Sequence, residues 1–183
     1  MASPKVERQV DFVGRRSVRT PDYTGAIDYA PRWAKVVDGV RCRTWRFKEI
    51  DESLRDGALI QIQPAFRTPV QHVRSETTFC EVPLKGKLIF LSVDPQGNMF
   101  IDSFNSDADP TSYMMEIKKG WTMCWYAMSM QEEPAEVLEY EDPGFKTADL
   151  PTVDFGANNI DGHTIPESFW MTIKYLDQIR AKP

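Results

Sequence analysis

The sequence predicts an all-β barrel or sandwich finished by one C-terminal helix, and three observations carry that prediction. Apolar and polar residues alternate in short runs separated by turn residues, which is the period of half-buried strands. Asp94-Pro95-Gln96-Gly97 stands between two such runs where a hairpin turn belongs. Only near the end does the period change, with Phe169, Ile173 and Leu176 recurring at helical spacing.

Taken in order, residues 1–38 carry Pro4, Gly14, Pro21, Gly25 and Pro31 with no sustained period and read as an irregular N-terminal arm. A barrel is expected over 39–140. In 40–47, Val40, Cys42, Thr44 and either Trp45 or Phe47 alternate with Arg41, Arg43 and Arg46, as in a half-buried strand. Residues 59–63 repeat the alternation, 77–82 form a further β-rich run, and 88–93 are apolar on both faces, as a central strand is. In the turn that follows, Asp94 takes the first position, Pro95 fixes φ at the second, and Gly97 supplies a residue tolerant of positive φ at the exit. The turn predicts a hairpin with 99–104. Residues 105–110 form a polar turn cluster, 113–117 and 122–130 are strands, and 141–163 are a long connector ordered by a neighbour. Thr164 and Glu167 have capping-box spacing, so a helix over 164–181 is expected on the outside of the barrel.

Bulk properties narrow the function. A chain of 183 residues with 42% hydrophobic content suffices for one domain with one core. No apolar run reaches membrane-spanning length and the first ten residues are polar, so the expectation is a cytoplasmic protein with no membrane partner. Cys42, Cys80 and Cys124 lack any CxxC spacing and read as reduced, packed thiols. A net charge of −5 opposes nucleic-acid binding. The charge is uneven, with Arg15, Arg16, Arg19, Arg32, Arg41, Arg43 and Arg46 early, and Glu132, Glu133, Glu136, Glu139, Glu141 and Asp142 late. Three readings follow: a basic patch that steers an acidic substrate, a solvated face, or an arm lying on the acidic segment of its own or a second subunit. Exposed strand edges and the arms point to a homodimer that exchanges the N-terminal arm.

Over 77–93, in particular Pro83-Leu84-Lys85-Gly86 followed by an apolar strand, the sequence resembles the cupin superfamily, and within it most closely the ureidoglycolate lyases. The likeness extends to Gly120-Trp121-Thr122-Met123-Cys124-Trp125-Tyr126-Ala127 and covers roughly residues 58–130. It implies a double-stranded β-helix, or jelly-roll barrel, with a small-molecule site. It also implies departures. A metal-binding cupin offers His-x-His and a Glu before the glycine turn and a later His. Here His72 is followed by Arg74, Phe79 falls near the Glu position, and Thr122 and Met123 replace the His-His segment. With two histidines in the chain, His72 and His163, no three-His site is built within one subunit, so no metal and no other cofactor is expected. A carboxylate site from Glu76, Glu81 and His72 is the alternative.

The ligand implied is a small organic acid, and the reaction implied is metal-independent lyase chemistry like that of ureidoglycolate lyases. Lys85 matches the family's motif lysine and, if buried, would act as base or anion partner. Glu81 and His72 are the acid/base candidates. Arg67 and Arg74 flank the loop expected at the barrel mouth and could clamp a carboxylate. Trp121, Met123, Trp125, Tyr126 and Tyr113 are candidate substrate-binding residues, with Met128 and Met130 in the same apolar set. Alternation sends Met123, Trp125 and Ala127 to one side and Cys124, Tyr126 and Met128 to the other. Two other readings stand beside the lyase: an isomerase or cyclase acting on a carbonyl or sugar compound, and a non-catalytic ligand-binding or scaffold protein.

Overall fold

In a computed structural model the described residues are 28–29, 32–48, 54–74, 76, 78–106, 115–142 and 150–180. The first strands are β1 (Asp28–Tyr29), β2 (Ala34–Val37), β3 (Val40–Lys48), β4 (Leu54–Ile62), β5 (Gln71–His72) and β6 (Thr78–Lys85). They are followed by β7 (Lys87–Val93), β8 (Met99–Asn105), β9 (Met115–Ile117), β10 (Thr122–Ala127), β11 (Ala135–Asp142), β12 (Asn159–Ile160), β13 (His163–Thr164) and the helix α1 (Glu167–Arg180). One sheet runs β1-β3-β4-β11-β6-β9, with β2 also on β3; the other runs β5-β10-β7-β8. Every pairing is antiparallel. From β4 onward the chain crosses back and forth between the two sheets, the winding of a jelly roll.

β10 shows why the layers form. All six of its residues are buried because both of its faces are covered. Met123, Trp125 and Ala127 turn into the barrel and pack with Phe79, Leu88, Phe90, Phe104, Met115 and Ile117. Cys124 turns outward and packs with Val70, Leu91 and Val93 beneath Phe169, Trp170 and Ile173 of α1. The expected division of β10 and the outside position of the helix are both observed.

The β7–β8 hairpin forms as expected. Asp94 Oδ1 accepts the N–H groups of Gln96 and Asn98 at 2.9 and 2.8 Å, and Gly97 closes the turn at φ +86°. Gly86, at φ +85°, makes the β6–β7 turn, so Pro83, Leu84 and Lys85 belong to the strand before it.

Several boundaries differ from expectation. β10 stops at Ala127, and 128–130 turn away from the sheet, leaving Met130 exposed. The connector is ordered by its own barrel: Val153 N–H donates to Val70 O and His72 N–H to Pro151 O, while β12 and β13 form a small hairpin. Thr164 belongs to that hairpin, and α1 begins three residues later behind Pro166, so Thr164 does not stand at the helix's cap position. The acidic run after residue 132 conceals β11, the strand between β4 and β6, whose Ala135, Val137 and Leu138 are fully buried. Most of the N-terminal arm and residue Tyr113 lie outside the described residues, as do 143–149 of the connector.

Candidate functional site

Inside the barrel, register decides which polar groups face the core. Phe79 and Glu81 share the inward face of β6, and Glu139 stands directly across from Glu81 on β11. Glu81 is 1% exposed and Glu139 is 7% exposed. Trp125 donates its indole N–H to Glu81 Oε2 at 2.9 Å, and its ring packs at 4.5 Å from Phe90 and 5.7 Å from Phe104. Cys42 joins this interior from β3; burial first, and then the charge of Glu139, push its thiol pKa up. The centre of the barrel is therefore packed rings around carboxylates. Trp121 and Met123 belong to the same cluster, with Trp121 against Phe100 at 5.7 Å. Of the candidate site residues, Glu81, Trp121, Trp125 and Met123 are brought together here.

The others are elsewhere. Lys85 lies at the end of β6, across from Glu136, and pairs with Glu133; it is half exposed rather than buried in the barrel. At strand rise it is also about 13 Å along β6 from Glu81. Arg67 is on the outside, against Asp177 of α1 at 3.3 Å, and Tyr126 donates its hydroxyl to Leu176 O on the same helix. Arg74 is exposed and paired with Asp161 at 2.5 Å, so neither arginine opens onto the barrel interior. Glu76 is exposed and paired with Lys119, apart from both Glu81 and His72.

His72 is buried on the outer side of β5, where Nδ1 and Thr122 Oγ1 share a 2.9 Å hydrogen bond. Its ring lies 5.5 Å from that of His163, whose Nδ1–H donates to Pro95 O at 3.3 Å. Burial, and secondarily the neighbouring His163, lower the His72 pKa to about 4, so it is neutral at pH 7. The chain's two histidines thus meet under the connector rather than inside the barrel. Cys124 is buried beneath α1, and burial pushes its thiol up to about 12, which leaves it unreactive.

A second polar region lies on the outer face of the first sheet. Arg41 Nε donates to Gln61 Oε1 at 2.8 Å, and Gln61 Nε2 donates to Glu136 Oε1 at 2.6 Å, a ladder across three strands. The guanidinium groups of Arg41 and Arg43 sit 4.9 and 4.7 Å from the centre of the Trp33 ring. Beside them the β2–β3 hairpin borders an open cleft of about 330 Å³. Sequence reading marked the arginines but not their platform, because Trp33 falls in the aperiodic arm.

No protein-family model matches the chain, and no curated protein matches it. Solved structures do. Oxalate decarboxylase from Bacillus subtilis superimposes with a TM-score of 0.51 at 16% identity, over 79% of this chain and 35% of that one. A mutant of the B. subtilis enzyme gives 0.50 at 18%, over 63% and 28%. CapF, solved with the inhibitor 3-isopropenyl-tropolone, gives 0.50 at 11%, over 67% and 34%. The fold is that of a cupin. The chain spans about a third of the length of those proteins.

The donor set does not fit the metal that many cupins hold. His72 faces away from the barrel interior, Thr122 shares its outer side, and Met123 offers no nitrogen or oxygen donor. Glu81 accepts the Trp125 N–H, and among the described residues no group of three or more His, Cys, Asp or Glu is close enough to hold an ion. Among those residues, too, no helix is long and apolar enough to cross a membrane.

Proposed function

We propose that this cupin binds a small organic acid and does not turn it over. The observation that carries the reading is Trp125: it fills the centre of the barrel and gives its N–H to Glu81, so the interior presents a carboxylate and packed rings. An acid substrate entering there would meet the buried carboxyl groups of Glu81 and Glu139 and closely packed rings. The groups that lyase chemistry would require on one substrate, Lys85, Glu81 and His72, point to three different places. Catalysis needs reacting groups within hydrogen-bond reach of one another or of one bound molecule. Small-acid recognition needs only donors and a pocket, and cationic side chains are available on the outer faces.

The test is glyoxylate and urea release from ureidoglycolate by purified protein, with and without a chelator, alongside Lys85→Ala and Glu81→Gln. No release above the uncatalysed background is expected, while a panel of small organic acids raises the melting temperature. Release that survives the chelator and vanishes in either variant would overturn the binding reading in favour of a lyase.

A further inference from the structure

Resting on that reading, the geometry points to the cleft of the β2–β3 hairpin as the binding site, and to a small carboxylate with a flat apolar body as its ligand. The cleft is lined by Trp33, Lys35, residues 37–41 and Gln63, so that Asp38 stands in it with the two cations Lys35 and Arg41, and its volume of about 330 Å³ suits a molecule of one ring. Register sets Lys35 directly opposite Arg41, a like-charge pair that is unfavourable unless an anion lies between or beside them. Asp38 pairs with Lys35 at 2.6 Å, and among the described residues no carboxylate pairs directly with Arg41.

Arg41 is held ready. Its Nε is anchored on Gln61 and its guanidinium is steadied by Trp33, while its terminal nitrogens have no partner among the described residues. A fork fixed at one end and open at the other matches a carboxylate through two parallel hydrogen bonds. Arg43, at the same ring, has an Nε shielded from water with no hydrogen-bond partner, so a second positive charge sits close by. Val37 and Trp33 supply the apolar wall, and Gln63 supplies a neutral polar contact. Such a wall separates a carboxylic acid with a ring from inorganic anions, which would gain only the charge.

Isothermal titration of the full chain with benzoate tests this, with acetate and inorganic phosphate as comparators. One benzoate site is expected, weakened at least about tenfold by Arg41→Ala and less by Arg41→Lys. Trp33→Leu should weaken it as well, and Arg67→Ala, on the far side of the molecule, should leave it unchanged. Circular dichroism checks that each variant is folded. Absence of benzoate binding, binding indifferent to both Arg41→Ala and Trp33→Leu, or phosphate binding as tight as benzoate would each overturn the assignment. The two proposals fail separately. Benzoate binding together with ureidoglycolate turnover breaks the binding-only reading and keeps the site, whereas neither binding nor turnover breaks the site and keeps the cupin non-catalytic.

Discussion

The outer faces of the two sheets solve the same problem in opposite ways. On the second sheet, Leu91, Val93 and Cys124 face outward and are sealed by Phe169, Trp170 and Ile173 of α1 and by Val153 and Ile165 of the segment before it. On the first sheet, Arg41, Gln61 and Glu136 face outward and are joined to one another by hydrogen bonds. A strand between two covered faces is buried throughout and almost wholly apolar, as β10 is, whereas β3 alternates because its outer side keeps its charges. The sealed face stores stability, and the polar face carries the proposed binding site.

The contrast is broken most directly at Phe169. It is fully buried, meets Trp170 edge to face at 5.2 Å, and sits where the helix joins the sheet. Phe169→Ala should cost about 3–5 kcal/mol in urea unfolding. A loss below about 1 kcal/mol would show that α1 is an appendage rather than half of a core.

Much of this division is legible in the sequence. The alternation of 122–127 marks the two faces of β10, and Phe169, Ile173 and Leu176 mark the helix that covers one of them. Two things are hidden. β11 carries its glutamates in the same short stretch as its buried residues, so the run reads as acidic surface; only the register with β4 and β6 shows that Ala135 and Val137 face inward. The site residues are hidden for a different reason. Whether Lys85 or Tyr126 faces the barrel depends on strand phase, and one residue of phase exchanges inside for outside. Arg67 and Arg74 lie outside the strands and are drawn to Asp177 and Asp161 of the C-terminal segment. Thr164 does not cap the helix because α1 begins only at Glu167, behind Pro166, which makes Glu167 the first helical residue rather than the third.

The sealed face has one polar corner, and it gives a pH dependence. His72 has an ordinary pKa of 6.5 and a folded value of about 4, set by burial and then by His163 and Arg74 against the opposing effect of Asp161. The unfolded chain therefore binds the proton more readily between these values. The stabilisation is complete above pH 6.5 and is lost as pH falls toward 4, by up to about 3 kcal/mol at 1.36 kcal/mol per unit. Urea midpoints measured from pH 7.5 to 4 should fall more steeply for the wild type than for His72→Asn, in which nothing titrates at that position. Parallel curves would mean that the histidine corner opens to solvent and that the seal is incomplete.

The smallest effect belongs to the polar face. Glu136→Gln keeps an oxygen for the Gln61 amide and removes only the charge, while Gln61→Ala cuts the ladder on both sides. Because these groups are partly exposed, water replaces most of what is lost, and the stability change should stay within about 0.5 kcal/mol for the first and about 1 kcal/mol for the second. Gln61→Ala should nevertheless weaken benzoate binding, since the Arg41 fork loses the anchor that orients it. A small change in unfolding with a clear change in binding is the pattern of a face kept polar for recognition. If Gln61→Ala instead cost 2 kcal/mol or more and left binding alone, the ladder would be structural, and the contrast between the two faces would fail at its polar side.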